Sequence, residues 1–328
     1  MSRTTRSDRR LVRIAGLLLG DGHPVAVLGG HDARWVSLPA AGGRPAGEVL
    51  ARERSAWPGP LLAEPRSAAD LPAIARHADG VVIGPAELRH PALRQEIARL
   101  GRPVVLRRGP GMPLAELLTL ADRCAAEGCG GVVLCESRTG GPDLALLREA
   151  KERSGRPVLA ALGGDAALAG AAVAAGADGL LLDPGADPQT IAEAHEAATL
   201  LGALTRREDP GDLAAARRAI DRVDAALATL LERRAALAGT IQRLKPVGGF
   251  RGRDPERERQ VVAAMAIRAP RLGAARLAPI MNAVIEAGLR LAEEEAGAEP
   301  DGGRSARPPR DGEDGPGRGG VASPPHPG

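Results

Sequence analysis

The sequence predicts an α/β domain followed by an all-α domain: a TIM-like (β/α)8 barrel, trimmed at one connection, and then three helices. Three observations predict this. Eight short apolar runs lie between residues 24 and 182, helical segments of about ten to fifteen residues separate most of them, and after residue 211 the pattern becomes purely helical.

The apolar runs fall at 24–28, 34–38, 60–63, 80–83, 103–106, 131–134, 157–160 and 179–182. Most are continuously apolar, as parallel strands covered on both faces are. Only five residues separate the first run from the second, too few for the helix that ordinarily joins parallel neighbours, so the barrel is expected to be trimmed or closed differently there. Residues 202–211 (GALTRREDPG) are polar and contain Asp-Pro-Gly, which marks a linker between a barrel domain at 1–201 and a helical domain at 212–296. In the latter, Leu213, Ile220, Leu227, Leu230, Leu231, Leu237, Ile241 and Leu244 recur at helical spacing, which predicts one long helix from about 212 to 245 with Asp212 as its N-cap. A second helix is expected to open at Pro255 and a third to run from about 274 to 295. From 297 onward Gly, Pro, Arg, Asp and Ser dominate, and the reading is a disordered tail.

Composition narrows the function. With 44 Lys+Arg against 41 Asp+Glu the formal charge is +3, and aromatic residues make up 1%, so neither a polyanion-binding field nor a base-stacking surface is expected and nucleic acid is excluded as a partner. The three cysteines, Cys124, Cys129 and Cys135, lack metal-type spacing and a secreted disulfide pattern, which fits a reducing cytoplasm. Gly16-Leu-Leu-Leu-Gly20 is too short for a signal-peptide core, and no run is long enough to span a membrane.

Two cations stand among the apolar positions of the first helix. Arg234 and Lys245 are eleven residues apart, which on an ideal helix is ~20° around the axis and ~16 Å along it, so their side chains can converge on a small anion. Arg217 points about 100° away from Arg234, towards a partner chain. Asp254, Arg257 and Glu258 stand at i, i+3 and i+4 and read as one face.

Ala216-Arg-Arg-Ala-Ile-Asp-Arg-Val-Asp224, Leu230-Leu-Glu-Arg-Arg234, Ile241 followed by Lys245, and Arg253-Asp-Pro-Glu-Arg-Glu-Arg259 together resemble the all-helical (type II) chorismate mutases, over residues 212 to about 295. The resemblance implies an intertwined helical homodimer that converts chorismate to prephenate by a Claisen rearrangement, without cofactor or metal. It implies that Arg234, Arg257 and Arg217 of the other protomer bind the two carboxylates and that Lys245 donates to the ether oxygen. Asp254 and Glu258 would then lie near the ring hydroxyl, and Gly288 and Ala292 would line the substrate. The family carries a Gln or Glu at the position of Ala292, whose side chain donates a second hydrogen bond to the ether oxygen. Alanine cannot, and losing one such donor costs ~10²–10³ in rate.

The first domain resembles the barrel of DAHP synthases through Pro103-Val-Val-Leu-Arg-Arg-Gly109, Gly131-Val-Val-Leu-Cys-Glu-Ser137 and Ala171-Ala-Val-Ala-Ala-Gly-Ala-Asp-Gly179. That family holds a divalent metal on Cys, His, Glu and Asp. Here those positions fall near His31, near Gly164, on Asp183 and on Ala194, so DAHP synthase activity is not expected. The phosphoenolpyruvate lysine becomes Arg107, a non-conservative exchange, and Arg107 with Arg108 is left as a vestigial anion site. The resulting reading is a chorismate mutase with its barrel as scaffold or regulator. The alternatives are a mutase of 4-amino-4-deoxychorismate, a non-catalytic regulatory or scaffold protein of the shikimate pathway, and a bifunctional DAHP synthase/chorismate mutase.

Overall fold

In a computed structural model, which describes residues 11–206, 210–244 and 250–298, the chain divides into two compact units at Arg233/Arg234. In chain order the elements are β1 (Val12–Ile14), β2 (Leu17–Leu19), β3 (Ala26–Leu28), β4 (Arg34–Ser37), α1 (Ala46–Ala56), β5 (Leu61–Glu64), α2 (Leu71–His77), β6 (Gly80–Ile83), α3 (Pro91–Arg99), β7 (Val104–Arg107), α4 (Leu114–Ala126) and β8 (Val132–Glu136). Then come α5 (Leu144–Ser154), β9 (Val158–Gly163), α6 (Ala169–Ala174), β10 (Gly179–Leu182), α7 (Pro188–Thr205), α8 (Leu213–Leu244), α9 (Pro255–Arg268) and α10 (Gly273–Ala298).

Strands β3 to β10 form one eight-stranded parallel sheet in the order β3-β10-β9-β8-β7-β6-β5-β4. Each expected apolar run overlaps one of them, and β5, β7, β8 and β9 extend one to three residues past the run's end. The sheet nearly closes: β3 and β4 meet at one bridge, Leu28 to Ala33, with Gly29 N–H donating to Ala33 O at 2.8 Å. Following the register of Arg34 from Leu61 around the sheet leads back to β3 at the level of Asp21, whereas the Leu28 bridge sets Arg34 beside Gly29, a displacement of eight residues per circuit. Eight strands with that shear are the geometry of a TIM barrel. The same stagger explains the short connection. Because Ala33 stands level with Leu28, the chain steps sideways to β4 without returning along the sheet, and no crossover helix is required.

Alternate strand residues split into two cores. Trp35, Leu62, Val82, Val105, Val133, Cys135, Leu159 and Leu181 fill the interior, and the opposite faces pack beneath the helices. An antiparallel hairpin, β1–β2, plugs the end of the barrel where the strands begin, burying Val12, Ile14 and Leu19 in the interior core. Gly131 permits that plug: at φ 150°, a Cβ there would lie 2.8 Å from Val12 Cγ1. The hairpin occupies the segment whose Leu-Leu-Leu run the sequence left without a strand.

Helix α7 continues to Thr205, so part of the expected 202–211 linker is helical. Asp212 caps α8 as expected, accepting from Ala215 N at 2.7 Å. In the second unit α9 and α10 lie side by side, and among its described residues only Leu277, Met281 and Leu289 of the large apolar ones are buried. Among the described residues no helix is long and apolar enough to cross a membrane. The expected disordered tail lies, from residue 299 on, outside the described residues.

Candidate functional site

Apart from Leu231, the large apolar residues of α8 follow a seven-residue repeat. Leu213, Ile220, Leu227 and Ile241 occupy one position of it, and Val223, Leu230, Leu237 and Leu244 the position three residues later. Each of these side chains is at least 51% exposed. A seam of this period is what two helices bury by winding around each other. Arg234 takes the place in the first series between Leu227 and Ile241. A cation in an apolar seam is unfavourable unless an anion meets it there.

Arg234 is half-buried and reaches across to α10, its Nη1 lying 3.5 Å from the Val284 carbonyl oxygen. Gly288 lies beside it: a Cβ added there would stand 3.7 Å from Ala238 Cβ and 3.9 Å from Arg234 Nη1. The structure therefore brings Arg234 and Gly288 together, with open space where a side chain would otherwise be. Ala292 lies one turn further along α10 and is half-buried.

At the start of α9 the roles differ from the expected single charged face. Asp254 is the N-cap: its Oδ1 accepts from Glu256 N and Arg257 N, both at 3.0 Å. Its carboxylate turns back on the backbone and does not join Glu258 on the helix surface. The reason is chemical, since a carboxylate just ahead of a helix satisfies otherwise unpaired N–H groups and favours the positive end of the dipole. Arg257 is exposed in the first turn. Glu258 is held by Arg253, whose Nε and Nη2 donate to Oε1 at 2.9 Å and Oε2 at 2.7 Å. Arg253 also donates to Asn282 Oδ1 at 2.7 Å and Glu286 Oε1 at 3.4 Å on α10. The sequence reading missed Arg253, because a residue five before its partner and ahead of the helix matches no helical spacing. Its signal was the Arg-Asp-Pro-Glu-Arg-Glu run itself. Arg217, in the other unit, is exposed, and Lys245 lies outside the described residues.

Residues 212–298 contain no His, Cys, Ser or Tyr. The chemistry they offer is positive charge, carboxylate acceptors and apolar walls. That suits a small anion whose conversion needs positioning and electrostatics rather than a nucleophile.

At the C-terminal mouth of the barrel the two arginines are already matched. Arg107 Nη1 lies 3.2 Å from Glu64 Oε1, with its guanidinium 5.5 Å from the Trp35 ring centroid, and Ser37 Oγ donates to Glu64 Oε2 at 2.6 Å. Arg108 is buried and forks onto both oxygens of Glu136, Nε to Oε2 at 2.5 Å and Nη2 to Oε1 at 2.6 Å, while Nη1 donates to Met112 O. The Glu136 bond raises the Arg108 pKa. Arg108 therefore has no donor fork to spare, and the vestigial anion site reduces to Arg107, whose charge Glu64 answers. His31 is at the β3–β4 seam, its backbone N–H donating to His195 Nε2 at 3.1 Å. Asp183 Oδ2 lies 3.5 Å from the Cβ position of Gly163. Among the described residues no group of three or more His, Cys, Asp or Glu is placed to hold a metal ion.

The fold thus defines a parallel barrel of the TIM type followed by a helical domain that carries Arg234 in an otherwise apolar seam. Residues 216–293 match the family model of type II chorismate mutase. The barrel is similar to solved structures of a synthase from Thermotoga maritima. One is its truncated 3-deoxy-D-arabino-heptulosonate 7-phosphate synthase, at 20% identity and a TM-score of 0.51, covering 63% of this chain and 97% of that one. Another is its phospho-2-dehydro-3-deoxyheptonate aldolase (DAHP synthase), at 21% identity and a TM-score of 0.47, covering 52% of this chain and 62% of that one. At such identity the likeness is one of fold. No curated protein matches the chain.

Proposed function

We propose that the protein is a chorismate mutase whose active sites form in a homodimer through residues 212–296, with the barrel of residues 1–201 as scaffold or regulator and the cytoplasm as its compartment. The observation that carries this is Arg234. It is the one charged side chain in the apolar seam of a segment that matches the mutase family, and it stands beside the space left by Gly288.

Chorismate carries two carboxylates and rearranges through a folded chair in which negative charge grows on the breaking ether oxygen. Arg234 and Arg257, with Arg217 from the second protomer, would fork onto the carboxylates and hold the chair. Lys245 would place a compact charge on the ether oxygen. Glu258, held by Arg253, would accept from the ring hydroxyl, while Asp254 would serve from its capping position by fixing the turn that presents Arg257 and Glu258.

The dimer is supported by the surface it would remove from water. The large apolar side chains of the α8 seam are exposed, and the second unit carries a groove of about 590 Å³ lined by Val262, Ala263, Ala278, Met281 and Ile285 together with Glu258. Exposed apolar surface of this extent marks an interaction site.

Ala292 favours one second reading, a mutase of 4-amino-4-deoxychorismate, because it removes the ether-oxygen donor expected for chorismate itself. The test is loss of chorismate and of its 4-amino analogue, followed by ultraviolet absorbance with the full chain and with Arg234→Ala. Turnover abolished by the substitution is the expected result, and the preferred compound names the substrate. No turnover of either compound overturns the proposal in favour of a non-catalytic role.

A further inference from the structure

Helix α4 ends in a turn that sets two thiols against each other. Gly128, at φ 104°, takes the left-handed position after the helix, Cys129 N–H donates back to Cys124 O at 3.1 Å, and Gly128 N–H to Ala125 O at 3.4 Å. This pair of bonds is the Schellman motif, which brings the side chain of the residue after the glycine onto that of the residue five before it. Usually that contact is between apolar groups. Here both positions are cysteine, so the motif sets Cys124 and Cys129 at the two places whose side chains it brings together.

The two sulfurs differ in access. Cys124 is fully buried and Cys129 half-buried. The Cys129 hydrogen bond, and then the nearby Arg94 and Arg156, hold the Cys124 thiol below its ordinary pKa against the opposing effect of burial, while Cys129, as the donor, is pushed up. Cys135 shares none of this. It points into the barrel interior, and burial pushes its pKa up to about 12.

We propose that Cys124 and Cys129 are a redox-active dithiol that a small disulfide, such as oxidised glutathione, converts to an intrachain disulfide across the end of α4. The pair loses its first proton from Cys124, and Cys129, the sulfur nearer solvent, passes its own proton to that thiolate as it attacks. Cys129 attacks oxidised glutathione, the glutathione S–S bond breaks, and one glutathione thiolate leaves with the remaining proton of Cys124. The Cys124 thiolate then attacks Cys129 sulfur, the mixed disulfide breaks, and the second glutathione leaves and is protonated from water. Two cysteine thiols are oxidised and one glutathione disulfide is reduced to two thiols. The reaction is reversible, and the bond would tie the last turn of α4 to the loop entering β8.

The test uses the folded full chain, treated with oxidised glutathione, quenched in acid, alkylated under denaturing conditions and digested with trypsin without reduction. Cleavage after Arg123 and Arg138 leaves all three cysteines in one peptide. The expected product has lost two hydrogens, joins Cys124 to Cys129 on fragmentation, and carries alkyl only on Cys135; Cys135→Ala retains the bridge and Cys129→Ser abolishes it. Three alkylated cysteines, glutathione held on Cys129 beside an alkylated Cys124, or a bridge to Cys135 would overturn the assignment. So would a bridge forming equally fast in the unfolded chain, since the fold would then contribute nothing.

Discussion

Arg253 grips both carboxylate oxygens of Glu258 from outside the helix that carries the glutamate, and the same guanidinium reaches Asn282 and Glu286 on α10. One side chain thus fixes the rotamer of a proposed substrate acceptor and ties the start of α9 to α10. Arg253→Ala should lower kcat/KM for the mutase reaction by about 10–100-fold, the scale expected when a reacting group is misplaced by about 1 Å. Arg253→Lys, with one point of contact in place of a fork, should fall between. The melting temperature should change little, because partly exposed ion pairs contribute at most about 1 kcal/mol. Equal kinetics in all three proteins would refute the positioning role.

The missing donor on α10 makes an opposite prediction. If chorismate is the substrate, Ala292→Gln should raise kcat by about tenfold or more, since one donor to a developing oxyanion is worth ~10²–10³ when well placed. Full recovery is not expected from a residue whose surroundings lack the usual support. Steady-state rates at saturating chorismate decide the point. An unchanged or lower kcat would show that Ala292 does not face the ether oxygen, or that another group already does.

Much of this architecture was legible in the sequence, for reasons that individual residues show. Parallel strands buried on both faces read as unbroken apolar runs, so Gly80–Ile83 and Gly179–Leu182 could be located to the residue. The β1–β2 hairpin could not. Its strands have three residues each, below the length at which alternation is visible, and the three leucines show none, although Leu19 is buried in the interior core and Leu17 and Leu18 are only half-buried. At the candidate site, residue type and spacing found Arg234 and Glu258, yet spacing alone put Asp254 on a shared face where helix capping claims it. The pairing of Arg108 with Glu136 joins residues 28 apart in sequence across adjacent strands, and only the register of the sheet reveals it.

The β3–β4 seam should make stability depend on pH. His195 Nε2 must be unprotonated to accept the His31 N–H, and burial is the main cause holding its pKa below 6.5, with Asp32 opposing and His31 assisting. In the unfolded chain the imidazole takes up a proton near pH 6.5, before the folded protein does, so the unfolded state binds more protons as the pH falls below that value. Melting temperature should therefore decline from pH 7 towards the lower folded pKa and level off below it as far as this group is concerned. His195→Gln, which keeps an acceptor but does not titrate, should flatten that part of the profile. An identical slope in both proteins would assign it to other groups.

The proposed sharing of an active site between protomers gives the sharpest test of the dimer. If Arg217 and Arg234 of one site come from different protomers, Arg217→Ala and Arg234→Ala homodimers are each inactive, every site lacking one carboxylate ligand. Mixed after dissociation and allowed to reassociate, they form hybrids in which one site lacks both arginines and the other has both. Random pairing makes half the dimers hybrid, so about a quarter of wild-type activity should return, a consequence of two-fold symmetry alone. Leu227→Asp, which places a charge in the exposed α8 seam, should yield a monomer in sedimentation and prevent the recovery. If both arginines belong to one protomer, each hybrid has two damaged sites and mixing restores nothing, so the measured fraction decides how the helices are exchanged.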